Sequence, residues 1–262
     1  VRGRWRWRRS IDPPAGWEDE VAASLVHFDV LDDDERELLG VIIGELLGRK
    51  HWEAARGFDL TAEMRLTIAA QAALLALGLP TDCFREVKAI IVTPTTRVLT
   101  GPRPGPAAGV VVDGPFPVIG QAHGRRGPVI IAWDAVRRDL RRPHRGHNVV
   151  FHEFAHKLDM LDGYIDGTPP LADPATHQRW VAVCTAEYES LRAGEAGELL
   201  SPYAGTNPGE FFAVATEVFF AQPVELRDQK PDLYEVLAGF YRQDPAARVI
   251  GFLRSDRRSG LE

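Results

Sequence analysis

The sequence is short of cysteine, of long apolar runs and of positive charge, and each shortage removes a class of protein. Its two cysteines, Cys83 and Cys184, lie far apart, so they form neither a disulfide framework nor a metal-type pair and read as buried small hydrophobes. The most apolar helical stretch, Thr67 to Leu79, carries Gln71 and falls short of the roughly 20 residues needed to span a bilayer. Lys and Arg number 31 against 37 Asp and Glu, which leaves the body without a basic surface for duplex nucleic acid. Residues 1–9, VRGRWRWRR, are the local exception. They read as a solvated tail, with contact to a membrane surface or an anionic partner as the alternative. No apolar stretch follows them as in a secretory signal, so the cytoplasm is the expected compartment.

What is present is an ordinary globular composition, 45% hydrophobic and 26% charged, in a chain of 262 residues that can bury a real core. Neither an internal repeat nor a composition break divides it. The expected organisation is a tail over 1–16, one domain over 17–255 and a second tail over 256–262. Apolar residues recur at helical spacing between Trp17 and Arg49 and suggest two helices, with Asp32-Asp33-Asp34 at an N-terminus. Thr61 opens a third, Ala/Leu-rich helix that stops at Gly78 before Pro80. Short β-branched runs then predict strands at Val87–Val92, Val110–Val112 and Val129–Trp133, and GPRPGPAAG (101–109) predicts an exposed loop. Further helices are expected over His147–Leu161, Pro174–Arg192, Pro208–Ala221 and Pro231–Tyr241. The fold class is α+β, mostly helical, with a small mixed sheet beside the helix described next.

That helix carries His152-Glu153-Phe154-Ala155-His156, a match to H-E-x-x-H. A bare match arises by chance in on the order of 1 in 100 chains of this length, so the context has to carry the reading. The flanks Val149-Val150-Phe151 and Leu158-Asp159-Met160-Leu161 put the motif on a core-packing helix. Residues four apart share a face there, so both imidazoles can reach one ion. Glu153 projects beside that ion, where it can act as general base on its water. Two histidines leave a tetrahedral zinc site in need of a third side chain, with the last position left to water. Glu210 is the first choice, in the opening turn of the helix begun by Pro208 and anchored by Phe211 and Phe212. Alternatively, Glu210 only complements that helix's dipole. Glu217, two turns along the same face, is the rival ligand or else a carboxylate that orients an imidazole. Asp159 is a second orienting candidate or a plain polar residue at a helix end. Asp162, Asp166 and His147 read as loop or surface.

HEFAHKLD together with Y-x6-E-F-F-A resembles the Mlc titration factor A family of gluzincin metallopeptidases. The likeness extends to Gly57-Phe58-Asp59-Leu60, Phe84-Arg85-Glu86-Val87, Gly127-Pro128-Val129 and Phe240-Tyr241-Arg242-Gln243-Asp244-Pro245, and so covers nearly all of residues 17–250. The Tyr-to-Glu spacing and the following Phe-Phe-Ala also resemble the catalytic domain of anthrax lethal factor. The resemblance implies a zincin-like fold with one zinc ion on His152, His156 and Glu210, Glu153 as catalytic base and Tyr203 facing the metal. By its residues alone Tyr203, after Ser201-Pro202, reads first as a packing residue. Peptide hydrolysis of an aminopeptidase kind is the implied activity, and a glucose-responsive, Mlc-like transcriptional repressor is the implied partner. A regulatory protein that sequesters such a repressor is the alternative function. The Arg/Trp-rich start and the GPRPGPAAG segment depart from the enteric members. A peptide substrate would lie extended along Val129–Trp133 if that run is an edge strand; an interior strand is the competing reading.

Overall fold

The computed structural model describes residues 11–99, 103–104, 111–112, 116–118, 126–195 and 197–259. Residues 1–10 and most of the GPRPGPAAG segment lie outside these. Helix α1 (Trp17–Ser24) leads through a short 3₁₀ turn to α2 (Asp33–Arg49). The Asp cluster works there as expected: Asp32 accepts from Glu35 N at 2.8 Å, and the Glu35 carboxylate accepts from Asp32 N at 3.2 Å. Residues 11 and 12 cross α2 at Gly44, where a β-carbon would lie only 1.8 Å from the Ile11 carbonyl oxygen. Strand β1 (His51–Ala54) follows, then α3 (Ala62–Ala76), capped by Thr61 Oγ1 on Met64 N at 3.2 Å and buried from Leu66 to Ala76.

Next come strands β2 (Ala89–Thr93), β3 (Arg97–Leu99), β4 (Arg103–Pro104), β5 (Val111–Val112), β6 (Phe116–Val118) and β7 (Val129–Ala132). The main sheet has the order β1-β2-β7 and is parallel throughout, with Ile91 paired to Glu53 on one side and Ile130 on the other. This corrects the expected mixed sheet. Each pair of strands is joined by a long excursion, through α3 in the first case, which returns the chain in the same direction. Antiparallel pairing occurs apart from that sheet, in the small ladders β3-β6 and β4-β5. Trp133, assigned to the last strand by its composition, instead opens helix α4 (Trp133–Leu140), where Asp134 fastens the turn by accepting from Thr96 N at 3.0 Å.

The remaining chain is helical: α5 (Val149–Asp159), α6 (Pro174–Ala193), α7 (Pro208–Ala221), α8 (Pro223–Gln229), α9 (Pro231–Tyr241) and α10 (Pro245–Ser259). Helix α5 is buried all round except at His152, because α3, α7 and β7 enclose it. Along α7, Phe212, Phe219 and Phe220 pack with Tyr241 of α9 in one aromatic cluster, and the buried Tyr241 hydroxyl is matched by Thr216 Oγ1 at 2.8 Å. Both cysteines are free, and among the described residues no helix is long and apolar enough to cross a membrane.

His27 ties the N-terminal helices to α7, its Nε2–H donating to the Phe220 carbonyl at 2.8 Å while Nδ1 is buried without a partner. Burial holds its pKa down to about 4, against an ordinary 6.5. The folded protein keeps the ring neutral while the unfolded chain takes up a proton below 6.5. Stability is therefore full above that pH and declines as the pH falls toward 4, by up to about 3 kcal/mol. Urea unfolding across this range should show a steeper decline for wild type than for His27→Gln; parallel curves would clear His27 of the role.

Candidate metal centre

Helix α5 starts at Asn148, whose Oδ1 accepts from Val150 N and Phe151 N, both at 3.0 Å. One turn further in, His152 and His156 stand on the same face with ring planes near perpendicular and their Nε2 atoms 3.2 Å apart. Helix α7 begins in the same way: Pro208 takes the first position and Asn207 Oδ1 accepts from Glu210 N at 3.0 Å. This fixes Glu210 in the first turn, where α7 lies against α5, with its Oε2 at 3.0 Å from His152 Nε2 and 3.4 Å from His156 Nε2. Three lone-pair atoms from two helices thus form a near-equilateral triangle, and Glu210 Oε2 is buried without a hydrogen-bond partner. Such a triangle is repulsive unless positive charge sits within it, and the three residues are a group that could hold a metal ion.

Glu217 answers the question its spacing left open. Two turns beyond Glu210 and fully buried, it receives the His152 Nδ1–H through Oε1 at 2.7 Å, which keeps His152 Nε2 available as an electron-pair donor. Its other oxygen accepts from Asn148 N at 2.6 Å and lies 3.2 Å from His147 Nδ1. Burial would raise the pKa of this carboxyl, but the hydrogen bonds from His147 and His152 outweigh that and hold it below the ordinary value. Glu210 follows the same pattern: burial works against its charge, and the two imidazoles keep it ionised far below the usual range. Burial in turn disfavours a charged His152, yet Glu210 and Glu217 drive its pKa well up.

Glu153 is 2% exposed and lies on the wall of the same cleft without joining the triangle. Burial raises its pKa above the ordinary carboxylate value, against the pull of His152 and His156. Tyr203 sits in the 3₁₀ turn at 202–205, 36% exposed, with its ring centroid 6.1 Å from that of His152. Burial, then the Glu210 charge, pushes its pKa up and keeps the phenol protonated. The structure thus places His152, Glu153, Tyr203 and Glu210 on the wall of a cleft of about 480 Å³, and His156 meets His152 and Glu210 in the donor triangle. A larger hollow of about 840 Å³ lies between α2 and residues 81–88, away from these groups.

Asp159 is fully buried, but its hydrogen bond goes to Gly167 N at 3.0 Å, so it closes the following loop. Asp162 and Asp166 cap turns, by accepting from Tyr164 N and Thr168 N, as expected of loop residues. His147, read as loop or surface, lies exposed in the loop before α5 and also shares Glu217 with His152. Asp139 was missed altogether: it accepts from Val149 N at 2.9 Å, and burial raises its pKa to about 6. No local signal marks either residue: His147 meets a carboxylate of α7, far along the chain, and Asp139 meets the first turn of the next helix across an intervening loop.

Comparison with known proteins gives the family of the chain. The chain is 38% identical to an uncharacterised protein of Synechocystis sp. over 92% of its own length and 89% of that protein's. It is 33% identical to Mlc titration factor A of Serratia proteamaculans, covering 94% of this chain and 95% of the other. For Mlc titration factor A of Yersinia pestis the identity is 29%, over 94% and 92%. Residues 2–242 match a family description that spans the sheet, α5 and α7 together, and by that match the chain belongs to the family of glucose-regulated metallo-peptidases M90.

Proposed function

We propose that the protein is a zinc-dependent peptidase of zincin-like fold, with His152, His156 and Glu210 as the zinc ligands. The observation that carries this reading is the triangle of donor atoms with edges of 3.0, 3.2 and 3.4 Å. A tetrahedron with bonds of about 2.0–2.1 Å has edges of about 3.3 Å, so the residues fit zinc and leave one corner for water. When bound, zinc supplies Lewis acidity, which makes water a nucleophile near neutral pH and polarises a carbonyl.

The protein's own groups do the rest. Glu153, buried and with its proton affinity raised, takes the proton as water attacks the scissile carbonyl carbon, then delivers it to the amine as the C–N bond breaks. Tyr203 donates its hydroxyl hydrogen to the developing oxyanion. Glu217 keeps the His152 ring in one orientation and one tautomer. The peptide lies along β7, the terminal strand in the order β1-β2-β7, and pairs with it through backbone hydrogen bonds.

The test is metal removal. Purified protein should contain close to one zinc per chain, lose cleavage of chromogenic amino-acid and peptide substrates on chelation, and regain it with stoichiometric zinc. Full turnover by the stripped protein would overturn the reading. The name Mlc titration factor A borne by relatives supports a second activity, binding of an Mlc-like transcriptional repressor. Metal-free protein that still binds such a repressor would make that activity independent of the peptidase.

A further inference from the structure

Residues 137–145 read Arg-Arg-Asp-Leu-Arg-Arg-Pro-His-Arg, a concentration of positive charge in a chain whose net charge is −6. The C-terminal turn of α4 accounts for Arg137 and Arg138 as complements of the helix dipole, but Arg142 and Arg145 lie beyond the last helical residue, Leu140. The fold turns three of these arginines, Arg138, Arg142 and Arg145, onto the wall of the candidate metal cleft. All three are exposed, and among the described residues none is within ion-pair distance of a carboxylate.

The cleft contains acids, yet each is committed elsewhere. Glu210 faces the two imidazoles, Glu217 is shared by His147, His152 and Asn148 N, and Asp139 accepts from Val149 N, with Arg138 felt only through its field. Glu153 is buried. The turn that bears the arginines is firmly held. Arg142 N bonds the Asp139 carbonyl at 2.9 Å, and Arg145 N bonds that of Arg142 at 3.1 Å. Gly146 follows at φ +69°, and a β-carbon there would meet Gln222 Oε1 of the α7–α8 junction at 2.5 Å. The guanidinium groups therefore stand on a fixed base beside the start of α5, while their own ends are free.

We infer that Arg138, Arg142 and Arg145 form a carboxylate-recognition wall, so that this cleft selects peptide segments carrying Asp or Glu beside the bond to be cut. Guanidinium suits the task because its planar fork matches a carboxylate in two parallel hydrogen bonds. The inference rests on the peptidase reading for the chemistry and stands apart from it for the binding.

The test uses pairs of fluorescein-labelled peptides that differ only in Glu or Gln at the positions flanking a central bond. Anisotropy with the zinc-loaded protein at low salt should show the Glu peptide binding about tenfold tighter, with the preference shrinking as salt is added. The Arg138→Gln/Arg142→Gln/Arg145→Gln variant, with its thermal unfolding and zinc content checked, should lose most of that preference. Arg137→Gln/Arg141→Gln removes charge outside the cleft and should keep it. If the triple variant does not fold, Arg142→Gln and Arg145→Gln singly should each reduce the ratio about two- to threefold. Cleavage of the same pairs separates the two ideas. Preferential binding of Glu peptides that are never cut would overturn peptide hydrolysis and uphold the wall; cutting both members equally, with equal binding, would overturn the wall and uphold the peptidase. An oligonucleotide of matched charge that displaces the Glu peptide equally well would overturn the assignment to peptides.

Discussion

Glu153→Gln is expected to lower kcat/KM for peptide hydrolysis by on the order of 10²–10⁴-fold while leaving one zinc per chain, because it removes a proton acceptor and almost nothing else. Glutamine has the same shape, so the fit of α5 among α3, α7 and β7 is preserved. The carboxylate oxygens of Glu153 lie outside the donor triangle of His152, His156 and Glu210, so metal affinity does not depend on them. The amide has no basicity near neutral pH, and at 2% exposure the position offers no room for bulk water to substitute. Steady-state kinetics with metal analysis on the same preparation reads both halves. A variant within threefold of wild-type turnover at equal zinc content would end the general-base role. Tyr203→Phe provides the contrast. Loss of one oxyanion donor should reduce kcat by about 10²–10³-fold with little change in KM.

The second large effect is on metal retention, where the arrangement of α5 and α7 separates ligand from support. His156→Ala and Glu210→Ala each remove a corner of the triangle and should yield protein without zinc after ordinary dialysis. Glu217→Gln leaves the corners in place but loosens the His152 ring, and should weaken zinc by about 10–100-fold while still allowing occupancy in excess metal. Thermal unfolding provides a readout free of activity. Zinc at about a hundred times its Kd should stabilise wild type by about 2.7 kcal/mol, or roughly 5–10 °C in a chain of this size, and should leave the two alanine variants unmoved. Zinc retained by Glu210→Ala and lost by Glu217→Gln would exchange the roles of the two glutamates.

The legible part of this molecule was the part written in short stretches of chain. Asn148 before an apolar run, Pro208 at the head of a phenylalanine-rich helix, and Asp32 three residues before Glu35 each set a helix start with local hydrogen bonds, and α5, α7 and α2 begin there. The two histidines needed only the 3.6-residue repeat to share a face. Helix α4 escaped notice because it follows a β-branched run and has no side-chain cap at Ala132, so Trp133 passed for the end of a strand.

Sequence alone thus determined the metal-type helix, its neighbour α7 and the membership of Glu210 and Glu217 in one helical face, because these depend on contacts within a few residues. It could not say which glutamate meets the imidazole Nε2 atoms and which receives the Nδ1–H, nor that the sheet is parallel, nor that His147 and Asp139 attend the centre. Those were decided when α5 packed against α7 and β7 at one crossing and register. Glu217 then fell within 3 Å of the Asn148 N–H and the His152 ring, 69 and 65 residues away, and no local preference encodes such a distance.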